Sequence, residues 1–136
     1  MTEEDILDLL RSGRTDVLDW LPGRAPVSDI AVTLAAMANT AGGTLLLGVT
    51  PRAEKPVGVD DTENAVGRVL EAALSLDPPL IIPLPQVVRV KGSPMVVIQV
   101  PRGMPYVYAL EGRYLRRDGE ANHPLTPQML RRLFLE

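Results

Sequence analysis

The stretch Ile30-Ala31-Val32-Thr33-Leu34-Ala35-Ala36-Met37-Ala38-Asn39-Thr40-Ala41-Gly42-Gly43-Thr44-Leu45-Leu46-Leu47-Gly48-Val49 decides the fold. Its first part is almost wholly apolar and small, which fits a helix buried on most of its circumference. Ser28 or Asp29 is positioned to cap that helix, which is expected to run to about Asn39. Asn39-Thr40-Ala41-Gly42-Gly43 should end it, because Asn and Gly tolerate the left-handed conformation that closes helices. Thr44 to Val49 is a continuous apolar run of strand length, expected to be a central strand covered on both faces.

The flanking sequence supplies the remaining elements. Upstream, Glu3 to Arg11 places Ile6, Leu7, Leu9 and Leu10 among acidic residues, predicting a short amphipathic helix closed by Gly13. Thr15 to Leu21 reads as extended, and Pro22-Gly23 with Pro26 as a loop. Downstream, Asp61 or Thr62 can cap a helix reaching about Leu76, where Asp77-Pro78-Pro79 stops it. The pattern then changes period. Gln86–Lys91 and Met95–Val100 around Gly92-Ser93-Pro94 predict a hairpin, and Val107–Ala109 with Arg113–Arg116 a second one. Asn122-His123-Pro124 reads as a loop, and Thr126-Pro127 opens a last helix. The whole predicts one α/β (α+β) domain over residues 1–136: a mixed β-sheet with a buried central strand, β-hairpins in the C-terminal half, and helices packed on the sheet.

Composition narrows the chemistry. With 136 residues, 46% hydrophobic and 23% charged, the chain has enough apolar material for one core. It has no cysteine, which excludes disulfides, thiolate nucleophiles and Cys-ligated zinc. Its one histidine, His123, excludes a site that needs two imidazoles from one chain. The acidic N-terminus and the lack of a membrane-length apolar run predict a cytoplasmic protein with no membrane partner. Of the 14 Lys+Arg, 8 lie after residue 85, against 4 of the 17 Asp+Glu. The C-terminal half thus leans basic, which is compatible with an anionic partner.

Four blocks now stand in order: Leu34 to Val49, Pro56-Val57-Gly58-Val59, Met95 to Pro101 with Pro105-Tyr106, and Gly112-Arg113-Tyr114-Leu115-Arg116-Arg117-Asp118-Gly119. Together they resemble the Schlafen-type AlbA_2 domain family, also called the divergent AAA-4 group, over roughly residues 13–120. Residues 121–136 follow as a loop and helix. The resemblance implies an α/β fold and nucleic-acid contact. Some members are RNA endonucleases in which three carboxylates gather a divalent metal, a hard cation that needs anionic oxygens. Those positions fall here on Arg14, Asp19 and Thr50, or Pro51 after a shift of one. Only Asp19 keeps the chemistry. Asp16 is three residues from it, a spacing that puts the two on opposite faces of a strand. No catalytic residue, metal or cofactor is therefore expected.

The residues with binding chemistry are Arg113, Tyr114, Arg116 and Arg117, with Lys91: cations for phosphate and a ring on which a base can stack. The competing reading pairs the arginines with Glu111, Asp118 or Glu120 on the surface. Arg131 and Arg132 read as a solvated helix face. Asn39, Gly42 and Gly43 can offer backbone N–H groups to an anion or simply form a turn. Trp20, Met104, Tyr106 and Tyr108 are apolar bulk for either a core or a contact with a second copy. The expected function is a nucleic-acid-binding accessory or regulatory module, such as part of a transcriptional regulator, that binds DNA or RNA as a homo-oligomer (a dimer). The alternatives are a protein-interaction domain with a protein partner, and a residual endoribonuclease using Asp16 and Asp19.

Overall fold

A four-stranded mixed sheet lies between two layers of apolar side chains, and a second, three-stranded sheet packs on one of the helices that cover it. The computed structural model describes residues 1–52, 54–103 and 107–135. The elements are α1 (Glu3–Ser12), β1 (Leu18–Leu21), α2 (Val27–Ala38), β2 (Gly43–Leu47), α3 (Thr62–Leu74), β3 (Gln86–Val90), β4 (Ser93–Val100), β5 (Ala109–Leu110), β6 (Arg113–Asp118), β7 (Ala121–Pro124) and α4 (Pro127–Leu135). This is the mixed α+β architecture that the sequence predicts.

The first sheet has the order β1-β2-β4-β3. β1 and β2 are parallel, with Leu18 opposite Thr44, so the chain needs a crossover between them, and α2 provides it. β4 runs antiparallel to both β2 and β3. The run Leu45-Leu46-Leu47 is fully buried because alternate side chains enter different layers. Leu45 and Leu47 join Ile30, Leu34, Val69, Val96 and Ile98 under α2 and α3. Leu46 joins Ile6, Leu10, Trp20, Met95 and Val97 under α1.

Local chemistry sets the boundaries. α1 opens with a capping box: the Asp5 amide donates to the Thr2 hydroxyl at 3.3 Å, and the Thr2 amide donates to Asp5 Oδ2 at 2.9 Å. Asp61 caps α3 by accepting from the Asn64 amide at 3.1 Å. α2 departs from expectation. It starts at Val27, with extended Pro26 at the cap and no side-chain cap bond. The Pro26 carbonyl already accepts from the Asp29 and Ile30 amides, so neither Ser28 nor Asp29 is left outside the helix to cap it. α3 stops at Leu74, two residues short of the expected Leu76, which instead turns into the core. The β3–β4 turn is Lys91-Gly92, both at positive φ, one residue earlier than expected.

The second sheet has the order β5-β6-β7. Glu111 and Gly112, both at positive φ, make the tight turn of the predicted second hairpin. β7 is a correction. Ala121–Pro124 pairs antiparallel with β6, Arg116 opposite His123, where the sequence reads as a loop. Asn-His-Pro has little strand propensity, so pairing with β6 rather than intrinsic preference makes it a strand. No helix among the described residues is long and apolar enough to cross a membrane.

Candidate nucleic-acid interface

β6 carries the basic cluster, and its alternation divides that cluster between two environments. Arg113, Leu115 and Arg117 share one face, and Tyr114, Arg116 and Asp118 the other. Leu115 and Arg117 are buried on the side that packs against α2, whereas Arg113 is exposed at the turn. Tyr114 and Arg116 are half-buried on the outer face. Arg116 Nη2 lies 3.7 Å from Asp118 Oδ2, a long contact of the kind expected for a weak surface pair.

Arg117 is the main correction. The sequence offers it as a phosphate contact, but its guanidinium is inside the protein. Nη1 donates to Asp19 Oδ2 at 2.7 Å and to Asn122 Oδ1 at 2.9 Å. Nε and Nη2 both donate to the Thr15 carbonyl, at 3.3 and 3.2 Å. Its amide donates to Thr40 Oγ1 at 2.8 Å. A guanidinium spent on a buried carboxylate and two further acceptors has no free edge for a strand of nucleic acid. Its partners, Thr15, Thr40 and Asn122, were not among the residues the sequence singles out. Nothing local marks Thr15 or Thr40, whose contacts join distant parts of the chain, and Asn122 becomes a partner only because β7 pairs with β6.

The other expected site residues also have defined places. Asn39 is a clip rather than an anion cradle. Its Nδ2 donates to the carbonyls of Tyr108 and Leu115, both at 2.8 Å, and its Oδ1 accepts from the Tyr108 amide at 2.7 Å. Gly42 ends the turn after α2 and Gly43 opens β2, and both are pressed against backbone: a Cβ on Gly42 would stand 2.5 Å from the Val100 carbonyl oxygen, and one on Gly43 2.2 Å from that of Val17. Trp20 and Tyr108, offered as contact bulk for a second copy, are both core residues. Each is drawn inward by the apolar layer it faces. Met104 and Tyr106 lie outside the described residues. Lys91 is exposed in the β3–β4 turn, and its amide donates to Glu3 Oε2 at 2.6 Å. It lines a cleft with Leu7, Arg11 and Lys55 beside α1, not the one that contains Arg116.

That second cleft, of about 250 Å³, lies between β6, α4 and the end of α2. Arg116 and Arg132 supply its positive charge, and Leu125 and Met129 its apolar wall. Arg132, read from sequence as a solvated helix face, is exposed but shares this cleft with Arg116. His123 is exposed on β7.

The positions where the family's nucleases hold a metal do come together here, with different chemistry. Arg14 Nε lies 3.7 Å from Asp19 Oδ1, and Arg14 Nη2 donates to the Pro51 carbonyl at 3.0 Å. The same guanidinium stands 5.2 Å from the centroid of the Trp20 ring. Asp19 Oδ1 also accepts from the Trp20 amide at 2.7 Å, and Oδ2 is taken by Arg117. Both carboxylate oxygens are engaged, and a fixed cation already lies beside them. Asp16 is exposed and outside β1, so it adds no second ligand there. These side chains do not fit a divalent cation.

The mixed sheet under two helices, with a basic hairpin fastened to one of them, defines a Schlafen-type α/β module. The family model for Schlafen, AlbA_2 matches residues 15–126, and the chain belongs to that family. No curated protein matches it. Among solved structures, the N-terminal domain of an ATP-dependent DNA helicase RecG-related protein from Nitrosomonas europaea superposes with a TM-score of 0.66 at 23% identity, covering 93% of this chain and 94% of that one. The DIP2311 protein from Corynebacterium diphtheriae superposes with a TM-score of 0.65 at 17% identity over 90% of this chain. The chain spans 26% of that protein's length. At these identities the likeness is one of fold.

Proposed function

We propose that this domain is a nucleic-acid-binding accessory module without a working nuclease centre, and that it contacts the strand through the outer face of β6 and α4. The observation that carries this reading is the convergence of Arg116 and Arg132 on one cleft whose described lining holds no carboxylate. Tyr114 shares a face with Arg116, and Arg113 extends the basic surface at the hairpin turn. Guanidinium groups bind phosphate oxygens, and an aromatic ring beside them can stack an unpaired base. Membership of the AlbA_2 family and the helicase-related neighbour support the same class of ligand. The engagement of Asp19 by Arg14 and Arg117 supports a binder over a metal-dependent nuclease.

The test is a filter-binding titration with single- and double-stranded DNA and RNA. Binding should be strongest at low salt, and Arg113→Ala should reduce the slope of log affinity against log salt by about one. Absence of binding at about 50 mM salt would sink the reading, because counterion release favours phosphate contacts most there. On the same reading, the purified protein with Mn²⁺ leaves a labelled RNA intact. Mn²⁺-dependent cleavage that Asp19→Asn abolishes would restore the nuclease.

A specific observation favours a second reading, a protein-interaction or self-association surface. Ile81, Leu84 and Val87 are 77%, 76% and 48% exposed on and before β3, the edge strand of the first sheet. An exposed apolar edge invites pairing. Light scattering on the eluting protein tests it: a dimer that Leu84→Asp converts to monomer supports it, and a concentration-independent monomer removes it.

A further inference from the structure

We infer that the cleft between β6, α4 and the end of α2 is a binding site for a small organic anion: a phosphate or carboxylate head joined to a compact apolar body. The inference goes beyond the nucleic-acid reading and does not require it. It starts from one atom. Arg116 Nε is buried and has no hydrogen-bond acceptor among the described residues. A buried N–H left unpaired is unfavourable, and one on a guanidinium more so, so native proteins seldom leave such a group without a partner. Asp118 does not serve, since its contact is with Nη2, at 3.7 Å.

The surroundings indicate what the partner is. Arg132 brings a second cation to the same cleft, so the head is an anion. A planar guanidinium presents Nε–H and an Nη–H side by side, a fork that matches two oxygens of a phosphate or carboxylate. The polar atoms of Asn39 and Thr40 in the wall are already committed to Tyr108, Leu115, Ala36 and Arg117. They leave Leu125 and Met129 to meet the rest of the ligand, and these are apolar. A volume of about 250 Å³ holds an anionic head and roughly one ring.

The experiment follows the arginine Nε–Hε resonances of the full chain by NMR during titration with inorganic phosphate, phenyl phosphate and phenylpropionate. Saturable movement of the Arg116 Hε signal is expected with at least one of the two aromatic anions. That anion should bind about tenfold more tightly than inorganic phosphate, because the ring buries apolar surface. Whichever aromatic anion binds more tightly identifies the head group. Met129→Ala should lose that advantage while leaving inorganic phosphate unchanged. Arg116→Lys, which cannot present the fork, should abolish binding of the aromatic anions as read from the backbone amides of the residues that line the cleft, and Arg131→Ala should leave it intact. No movement of the Arg116 signal at millimolar ligand overturns the site, and equal affinity for inorganic phosphate and both aromatic anions overturns its organic character. An oligonucleotide that binds while all three small anions fail would overturn this inference and leave the nucleic-acid reading standing. The converse result would separate them the other way.

Discussion

The two sheets of this domain are held by different balances of apolar and polar contact. The four-stranded sheet is an apolar layer covered on both faces: Leu45 and Leu47 enter one cluster, Leu46 the other, and none of the three is exposed. The three-stranded sheet buries fewer apolar side chains, Leu110 and Leu115 among them, and is fastened to the rest by polar groups as well. Arg117 reaches Asp19 across 98 residues of sequence, and Asn39 ties both Tyr108 and Leu115 to the end of α2. Apolar burial is non-directional and tolerates small movements, whereas a buried charge requires its partner in place. The first arrangement suits a scaffold. The second fixes the register of one hairpin precisely, and that hairpin carries the basic residues.

Breaking the polar clasp should give the largest effect. Arg117→Met leaves Asp19 buried with the Trp20 amide and, as its cation, only the more distant Arg14, and should cost about 3–5 kcal/mol in urea unfolding. Replacing both partners, Asp19→Leu with Arg117→Met, should recover much of that, because the one cation left without a carboxylate, Arg14, is partly exposed. A single-variant cost under about 1 kcal/mol would mean that the hairpin is held by something else. Leu46→Ala attacks the other sheet and should cost about 2–5 kcal/mol, through lost burial and the cavity left behind. Hydrogen exchange sharpens the contrast. Amides paired between β2 and β4 should exchange only on global unfolding, and those between β6 and β7 through a lower-energy local opening. Equal protection would collapse the distinction between the two sheets.

The same contrast explains what was legible in the sequence. The first sheet was readable because its rules are local: an apolar run of strand length, a helix of small apolar residues, and Asp61 placed to cap α3. The second sheet was half readable. Gly112 and the alternation in Arg113–Arg116 gave the hairpin, but β7 has no strand propensity and exists through its pairing. The sign of Arg117's role was not legible at all. On sequence it is one of three similar arginines, and only the approach of Asp19, Thr15 and Asn122 makes it internal. In the structure, alternation along β6 puts Arg116 and Arg117 on opposite faces, and that separation decides which of them can meet a ligand. Asn39 illustrates the middle case: its position at the helix end was expected, but its partners at Tyr108 and Leu115 were not. Asn39→Ala should therefore cost about 1–3 kcal/mol, because it leaves the Tyr108 and Leu115 backbone groups unpaired. Asn39→Asp should also destabilise, since a carboxylate cannot donate to either carbonyl.

The smallest effect belongs to the capping box of α1, where the partners are three residues apart and exposed. Thr2→Ala removes the hydroxyl acceptor and should cost about 0.5–2 kcal/mol. Asp5 adds a pH signature that the clasp variants do not test. The Thr2 amide, and then its hydroxyl, hold the Asp5 carboxyl below its ordinary value of 3.8. A carboxyl whose pKa is lower in the folded chain than in the unfolded one stabilises the fold at pH above the unfolded value. That contribution is lost as pH falls through the lowered folded value. The stability difference between the wild type and Asp5→Ala should thus be constant near neutral pH and shrink below about pH 4. If the difference instead persists unchanged in acid, the charge of Asp5 plays no part and the cap acts only through packing. Because α1 covers the apolar face of the first sheet, loosening its first turn should leave the β6–β7 amides as protected as before. A loss of protection there would show that the two sheets are coupled more tightly than their contacts indicate.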